Sequence, residues 1–448
     1  MFGSMKNTQM AREEGGRRGA QMLARFALIV LSSSVCVGAP LEYAPAPPDN
    51  PLRGLVPYVS ASGKEQFPHS MEFSYFSLKD LMKGPREFDW APIERTLAEV
   101  SSRGNQLIFR IYCEYPGKEI AVPSFLNDAG LGITKWPEQE EKETQVSYTP
   151  DYESPLLREA LTNFISALGD KYDGDPRVAF ITVGLLGSWG EWHTFPRNDL
   201  WASKLVQGEV MDAYARAFSE TKLLLRYPVG SDREHYAENH NRPFGYHDDS
   251  FGWATLDTSD EGDEWHFEPS LQVAGAEDKW ETEPIGGEIR PELWKQSFTA
   301  NRHPRDQGFA TCVERLHATW LMDSGLFDEG RPVDEERKKA ALTETSQMGY
   351  EFHVLKADWR EERIYLTVVN RGVAPFYYEW PVEVEVEGKT IETGWSLSEL
   401  LPGQARVWSI GLGEESSLRI RVPNPMRGGK PLRFANRAQG KEWLVIRP

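Results

Sequence analysis

The sequence predicts a (β/α)8 barrel followed by a small antiparallel β-sandwich, on three observations. Eight short apolar or aromatic runs recur between Asn50 and Gly330, separated by segments with helical spacing of their apolar residues. That is about 35 residues per repeat, near the spacing of a barrel of about 250 residues plus insertions. Beyond about Gln347 the apolar period falls to two, the pattern of half-solvated antiparallel strands.

The elements follow in order. Residues 1–39 read as a secretory signal peptide: Arg17, Arg18 and Arg25 precede the apolar run Phe26–Ala39, which ends in small residues. The run is too short for a membrane span. A secreted or periplasmic protein beginning near Pro40 is expected. Loss of Cys36 with the signal leaves Cys113 and Cys312 as the pair a disulfide would need. Residues 40–50, rich in proline, read as a linker or an extended arm.

The barrel is expected over 51–348, with strands at Gly54–Val59, Met71–Tyr75, Gln106–Tyr112, Val178–Leu186, Leu223–Tyr227, Phe244–His247, Ile285–Glu288 and Thr319–Met322. These runs are apolar on both faces, as buried parallel strands are. The first strand, in "RGLVPYVSASG", lacks the glycine-rich phosphate turn of a doubly wound sheet, so no nucleotide cofactor is implied. Helices are expected at Ser154–Tyr172, with Ser154 as cap and Pro155 in the first turn, and at Glu209–Thr221. The acidic stretch Asp257–Glu283 reads as a long loop over the top face, and Val333–Gln347 as a charged helix. The sandwich is expected over 349–448. In "PVEVEVEG", Val382, Val384 and Val386 alternate with Glu383, Glu385 and Glu387, and further strands are expected at "RIYLTVVNRG", Arg406–Ile410, Ser417–Val422 and Glu442–Ile446.

Composition narrows the partners. The net charge of -18 repels phosphate backbones, which argues against nucleic acid. The 15 tryptophans will mostly be core, but tryptophan also stacks on sugar rings, so a carbohydrate partner is open.

Barrel chemistry gathers at the C-terminal ends of the strands. The strand assignment brings there Tyr75, Arg110, Trp189, Glu191, His193, Arg226, His247, Asp248, Asp249, Glu288 and Trp320. Strands 4 and 7 can face each other across the mouth, and cleavage of a glycosidic bond needs two carboxyl groups on opposite sides of one bond. Glu191 and Glu288 are therefore the candidate catalytic pair. Tyr75, Arg110, Trp189, His193, Arg226, His247, Asp248 and Trp320 are candidate substrate-binding residues. Trp189 and Trp192 flank Glu191 and would raise its pKa by desolvation, while Glu288 would stay ionised. Plainer readings stand beside these: Arg110 as a buried barrel arginine paired with an acid, Trp320 as core, one of Asp248 and Asp249 as a cap.

The layout resembles the clan-A glycoside hydrolases, which carry an acid/base Glu after strand 4 and a nucleophile Glu after strand 7. More closely, "NPLRGL", "FRIYCEYPG", "KYDGDPRVAFITVGLLGSWGEWH", "FGYHDDSFG", "PIGGEI" and "VVNRGVAPFYY" resemble a family of secreted microbial proteins, long labelled paired domains of unknown function, with a glycosidase-like TIM barrel and a C-terminal β-sandwich. The resemblance implies a retaining glycoside hydrolase acting on a polysaccharide or its oligosaccharides, with Glu191 as acid/base and Glu288 as nucleophile. The clan's Asn before the acid/base is here Gly190, so His193 or Arg110 would take over its contact to the sugar. Two other readings compete. One is a carbohydrate-binding protein without turnover. The other is a metal-dependent hydrolase using His193, His247, Asp248 and His317, disfavoured because strand 1 lacks the His pair such barrels carry.

Overall fold

A computed structural model describes residues 40–137, 145–231, 233–360, 362–386, 388–398, 400–411 and 417–447. These lie in one compact unit. The expected signal peptide falls outside the described residues. Among those described, no helix is long and apolar enough to cross a membrane.

Eight parallel strands form the barrel: β1 (Gly54–Val56), β2 (Met71–Ser77), β3 (Gln106–Tyr112), β4 (Val178–Val183), β5 (Leu223–Arg226), β6 (Gly245–Phe251), β7 (Ile285–Ile289) and β8 (Ala318–Met322). Each pairs with its neighbour in sequence, and β8 returns to β1. The ring closes where Tyr58 bridges Phe73, with Val59 N–H donating to Phe73 O at 2.8 Å and Phe73 N–H to Pro57 O at 2.8 Å.

Helices follow six of the strands: α1 (Ala91–Ser102), α2 (Pro155–Tyr172), α3 (Lys204–Ala217), α4 (Phe267–Ala274), α5 (Phe309–Leu316) and α6 (Glu335–Glu344). Among the described residues the connections after β1 and β5 hold no α-helix. α2 buries Leu157, Ala160, Leu161, Phe164, Ile165 and Leu168, the face its spacing selects. Ser154 stands at its cap position without a side-chain cap bond; Pro155 opens the helix instead. α3 starts earlier than its pattern suggests, because Ser203 accepts from Val206 N–H and fixes the entry. The acidic stretch Asp257–Glu283 is not all loop: it contains α4, the helix that the sixth βα repeat requires.

Strand alternation separates two cores. Leu107, Phe109 and Ile111 of β3 face the helices, in one cluster with α2 and α3. Phe73, Ile108, Phe180, Leu224 and Trp320 face into the barrel, in a second cluster. This inner core runs without a break into the sandwich, taking in Phe352, Leu366, Phe376, Trp380, Val384 and Trp408. Tyr378 joins the two lobes: its hydroxyl donates to Ala179 O at 2.5 Å and accepts from Lys222 N–H at 3.1 Å.

The sandwich pairs a three-stranded sheet, β9 (Phe352–Arg360), β10 (Arg363–Asn370) and β13 (Ala405–Gly411), with a four-stranded sheet, β11 (Glu383–Val386), β12 (Lys389–Glu392), β14 (Leu418–Arg421) and β15 (Leu444–Ile446). Val382 and Val384 are fully buried, and the intervening Glu383 and Glu385 pair with Arg421 at 2.7 Å and Arg419 at 2.6 Å. β9 carries no sequence signal because a register shift between Val354 and Lys356 breaks its alternation. The proline-rich stretch before the barrel is a docked arm: Leu41 N–H donates to Leu355 O at 2.9 Å, and Tyr43 Oη to Glu351 at 3.0 Å. Cys113 and Cys312 are free, each buried in a different core cluster, so the disulfide does not form.

Candidate active site

The site begins with an unusual backbone. After β4 the chain passes through Leu185, Gly187, Trp189, Gly190 and Trp192, with φ of 71°, 77°, 55°, 72° and 58°. Side-chain-bearing residues enter this left-handed region at a cost of roughly 1–2 kcal/mol each. Surrounding bonds hold them there. Leu185 N–H donates to Ile111 O at 2.6 Å, Gly187 N–H to Tyr152 Oη at 2.8 Å, and Ser188 N–H to His193 O at 2.8 Å. Position 187 needs glycine for a second reason: a Cβ would stand 2.4 Å from His193 O. The Trp192 indole donates to Val183 O at 3.0 Å and is buried, so it anchors the loop from inside the core. The coil thus turns Glu191 into the barrel mouth.

Arg110, inside the barrel at 1% exposure, reaches Glu191 Oε1 at 2.8 Å. The same guanidinium donates to Tyr75 Oη at 3.2 Å and Thr182 Oγ1 at 3.2 Å. Arg226 donates to Asp249 Oδ2 at 2.6 Å and to the Glu191 carbonyl at 3.2 Å. Across the mouth, Glu288 accepts from Tyr58 Oη at 3.4 Å. Trp189 is partly exposed at the mouth, its ring 6.3 Å from Tyr115 and 6.1 Å from His193. His193 Nδ1 accepts from Phe195 N–H at 3.3 Å, so the proton of the neutral ring sits on Nε2, 3.8 Å from Glu191 Oε2. At that separation the two do not hydrogen-bond.

The two carboxyls are pushed apart in protonation. Burial works to raise Glu191, but His193, Arg110 and Arg226 outweigh it and hold the group well below the usual carboxylate range. Of these, Arg110 is in direct contact, at 2.8 Å. Glu288 has no cation in contact among the described residues. Burial first, then the charge of Glu191, push it up to about 8. This reverses the expectation from sequence, in which Trp189 and Trp192 desolvate Glu191 and leave Glu288 ionised. The flanking tryptophans are there, but a buried arginine from β3 outweighs them. Both carboxyls act on the Tyr58, Tyr75 and Tyr115 hydroxyls, so they share one space.

The structure brings Tyr75, Arg110, Trp189, Glu191, His193, Arg226 and Glu288 to one mouth. Three other candidates lie elsewhere. Trp320 is fully buried, stacked on Phe180 at 6.0 Å, in space left by Gly286, where a Cβ would stand 2.4 Å from the indole. It has no face for a sugar. His247 is fully buried, its ring 5.6 Å from Trp320, and it meets the site only through the charges of Arg110, Arg226 and Asp249. Asp248 faces away: its carboxylate accepts from Ser250 N–H at 2.9 Å and Thr255 Oγ1 at 2.7 Å, tying the chain after β6, and burial lifts it to about 7. His317 stacks on Trp280 at 3.5 Å before β8, at the other end of the barrel.

Tyr58 and Tyr115 belong to the site and are absent from the sequence-derived set, while Asp249, which the strand assignment brought to the mouth without a binding role, pairs there with Arg226. Tyr58 follows strand 1 in the position Tyr75 holds on strand 2, so the strand-end rule reaches it. Asp249 is inward because β6 runs on to Phe251 with a register shift after Asp248, which no sequence pattern shows. Glu191, His193 and Asp249 each offer an atom within 4.8 Å of the others, a spacing a metal ion can use. Arg110 and Arg226 already neutralise both carboxylates, so the cluster is an ion-pair network.

No protein-family model and no curated protein matches the chain. Solved structures superpose on it at low identity. Endo-glycoceramidase II from Rhodococcus sp., as its lactosyl-enzyme intermediate, is 12% identical with a TM-score of 0.41, covering 83% of this chain and 99% of that one. The catalytic domain of beta-amylase from Paenibacillus polymyxa is 9% identical with a TM-score of 0.41, covering 68% and 98%. GH5_18 from Bifidobacterium longum subsp. longum is 12% identical with a TM-score of 0.35, covering 61% and 69%.

Proposed function

We propose that this protein is a secreted glycoside hydrolase that cleaves a polysaccharide or its oligosaccharides with retention of configuration. One observation carries the reading: two carboxyl groups, Glu191 in the loop after β4 and Glu288 on β7, share one mouth, Glu191 paired with Arg110 at 2.8 Å and Glu288 buried with no cation in contact among the described residues, which favours an ionised Glu191 and a protonated Glu288. In this assignment Glu288 donates its proton to the leaving oxygen. Glu191 attacks the anomeric carbon through Oε2, which accepts no hydrogen bond among the described residues while Arg110 holds Oε1. A glycosyl-enzyme ester forms and the leaving group departs with the proton. Glu288, now a carboxylate, takes a proton from water as it breaks the ester, which restores both groups. The roles are the reverse of those the family resemblance implies.

Azide rescue separates the assignments. With an activated glycoside, Glu191→Ala should lose turnover and azide should restore it, giving a glycosyl azide of opposite configuration. Rescue of Glu288→Ala instead returns the roles to those of the resemblance. Proton NMR of the first-formed product checks stereochemistry, and inversion removes the covalent step. Export rests on the basic and apolar pattern of residues 1–39, and an intact N-terminus on intracellular protein would remove it.

A further inference from the structure

The chain connecting β3 to α2 leaves the barrel through Tyr115, Pro116, Gly117 and Lys118. Tyr115 stands at the mouth, 5.8 Å from the Tyr75 ring and 6.3 Å from Trp189. Lys118 folds back over it, its Nζ 3.7 Å from the Tyr115 ring centroid and 5.5 Å from that of Tyr112. The adjacent Glu119 is taken by Lys79 at 2.9 Å, and among the described residues no carboxylate pairs with Lys118. A lysine on an acidic protein ordinarily finds a carboxylate or extends into water. This one is held on two aromatic faces.

The charges of the mouth then sum simply. Arg110 is spent on Glu191 and Arg226 on Asp249. Glu288 is neutral while it holds its proton. Lys118 is the cation left over among these groups, one aromatic ring from the reacting pair, in a chain of net charge -18. A neutral glycan needs no such group. An anionic one, repelled by the protein as a whole, needs a local positive charge to enter.

We infer that Lys118, Tyr115 and Trp189 form a subsite for an anionic sugar residue, with the aromatic rings against the pyranose and the ammonium paired to its carboxylate or sulfate. The inference rests on the hydrolase reading above and names its substrate class.

The test uses the full chain carrying Glu288→Gln, which slows turnover and leaves the Arg110–Glu191 pair intact, titrated calorimetrically with size-matched neutral, uronate and sulfated oligosaccharides. The acidic probes should bind more tightly than the neutral one and lose that advantage in high salt. Lys118→Gln should weaken the acidic probes about fivefold, the worth of one exposed ion pair, and leave the neutral probe unchanged. Lys118→Arg should restore binding. The uronate and sulfate arms tell which anion is read. The proposal is overturned if neutral probes bind as tightly, if Lys118→Gln weakens every probe alike, or if only Arg305→Gln matters, the arginine stacked on Trp253 at 4.4 Å. Turnover by the wild-type chain keeps the two readings apart. Cleavage of neutral glycans, indifferent to Lys118→Gln, removes the subsite and leaves the hydrolase; Lys118-dependent binding with no cleavage does the opposite.

Discussion

The two ends of the barrel are built from the same strands and have opposite character. Low in the barrel the inward side chains are Phe73, Ile108, Phe180 and Leu224, continuous with the sandwich core. Two residues further along, the same strands present Tyr75, Arg110, Thr182 and Arg226. β7 goes from Gly286, which makes room for Trp320, to Glu288. One end is closed by apolar packing against a second lobe. The other is left open, charged and conformationally strained. Because the side-chain period of a strand is two, a single step of two residues moves a position from structural duty to chemical duty. Stability and function therefore divide by height in the barrel rather than by element.

That division can be broken experimentally. The largest effect is expected at Glu288. Glu288→Gln should lower turnover on a poor leaving group by about 10²–10⁴-fold, the usual worth of a general acid, with little loss of folding. The pH profile sharpens this. Activity should fall as pH rises through about 8, where the folded protein gives up the Glu288 proton. The unfolded chain gives it up near 4.5, so the folded state binds the extra proton between these values. Stability should accordingly decline as pH rises from about 4.5 to about 8, and Glu288→Gln should flatten that decline, as read by urea denaturation across pH.

At the closed end, Trp320→Ala should cost about 3–5 kcal/mol of stability through the cavity it leaves, measured in the same denaturation experiment. A variant that keeps its stability but loses glycan binding would show that the inner core reaches the ligand. Trp189→Ala should do the converse, weakening glycan binding by about 1–3 kcal/mol by calorimetry with cooperative unfolding retained. Gly187→Ala tests the loop itself. The left-handed backbone costs about 1–2 kcal/mol with a side chain, and a Cβ 2.4 Å from the His193 carbonyl must displace the loop, so both turnover and melting temperature should fall. Unchanged turnover would mean that the loop geometry does not position Glu191.

The repeat of apolar runs located all eight barrel strands, and the strand-end rule put Glu191 and Glu288 at the mouth, where the structure has them. Alternation alone assigned Val382 and Val384 to the sandwich core. Each of these follows from local spacing, which a sequence displays directly. The tertiary structure decided the rest. Trp189 and Trp192 are three residues apart and equally aromatic, yet one lies at the mouth and the other in the core, because each has left-handed backbone that alternation does not describe. Asp248, a candidate for substrate, ties the chain after β6, and its neighbour Asp249 faces the mouth instead, where the register shifts between Asp248 and Phe251. The expected protonation of the pair turned on His193, on Arg110, 81 residues from Glu191, on Arg226, and on the burial of Glu288. A carboxyl's pKa is fixed by the charges and solvent within a few ångströms of it, and those neighbours come from strands that only the closed barrel brings together.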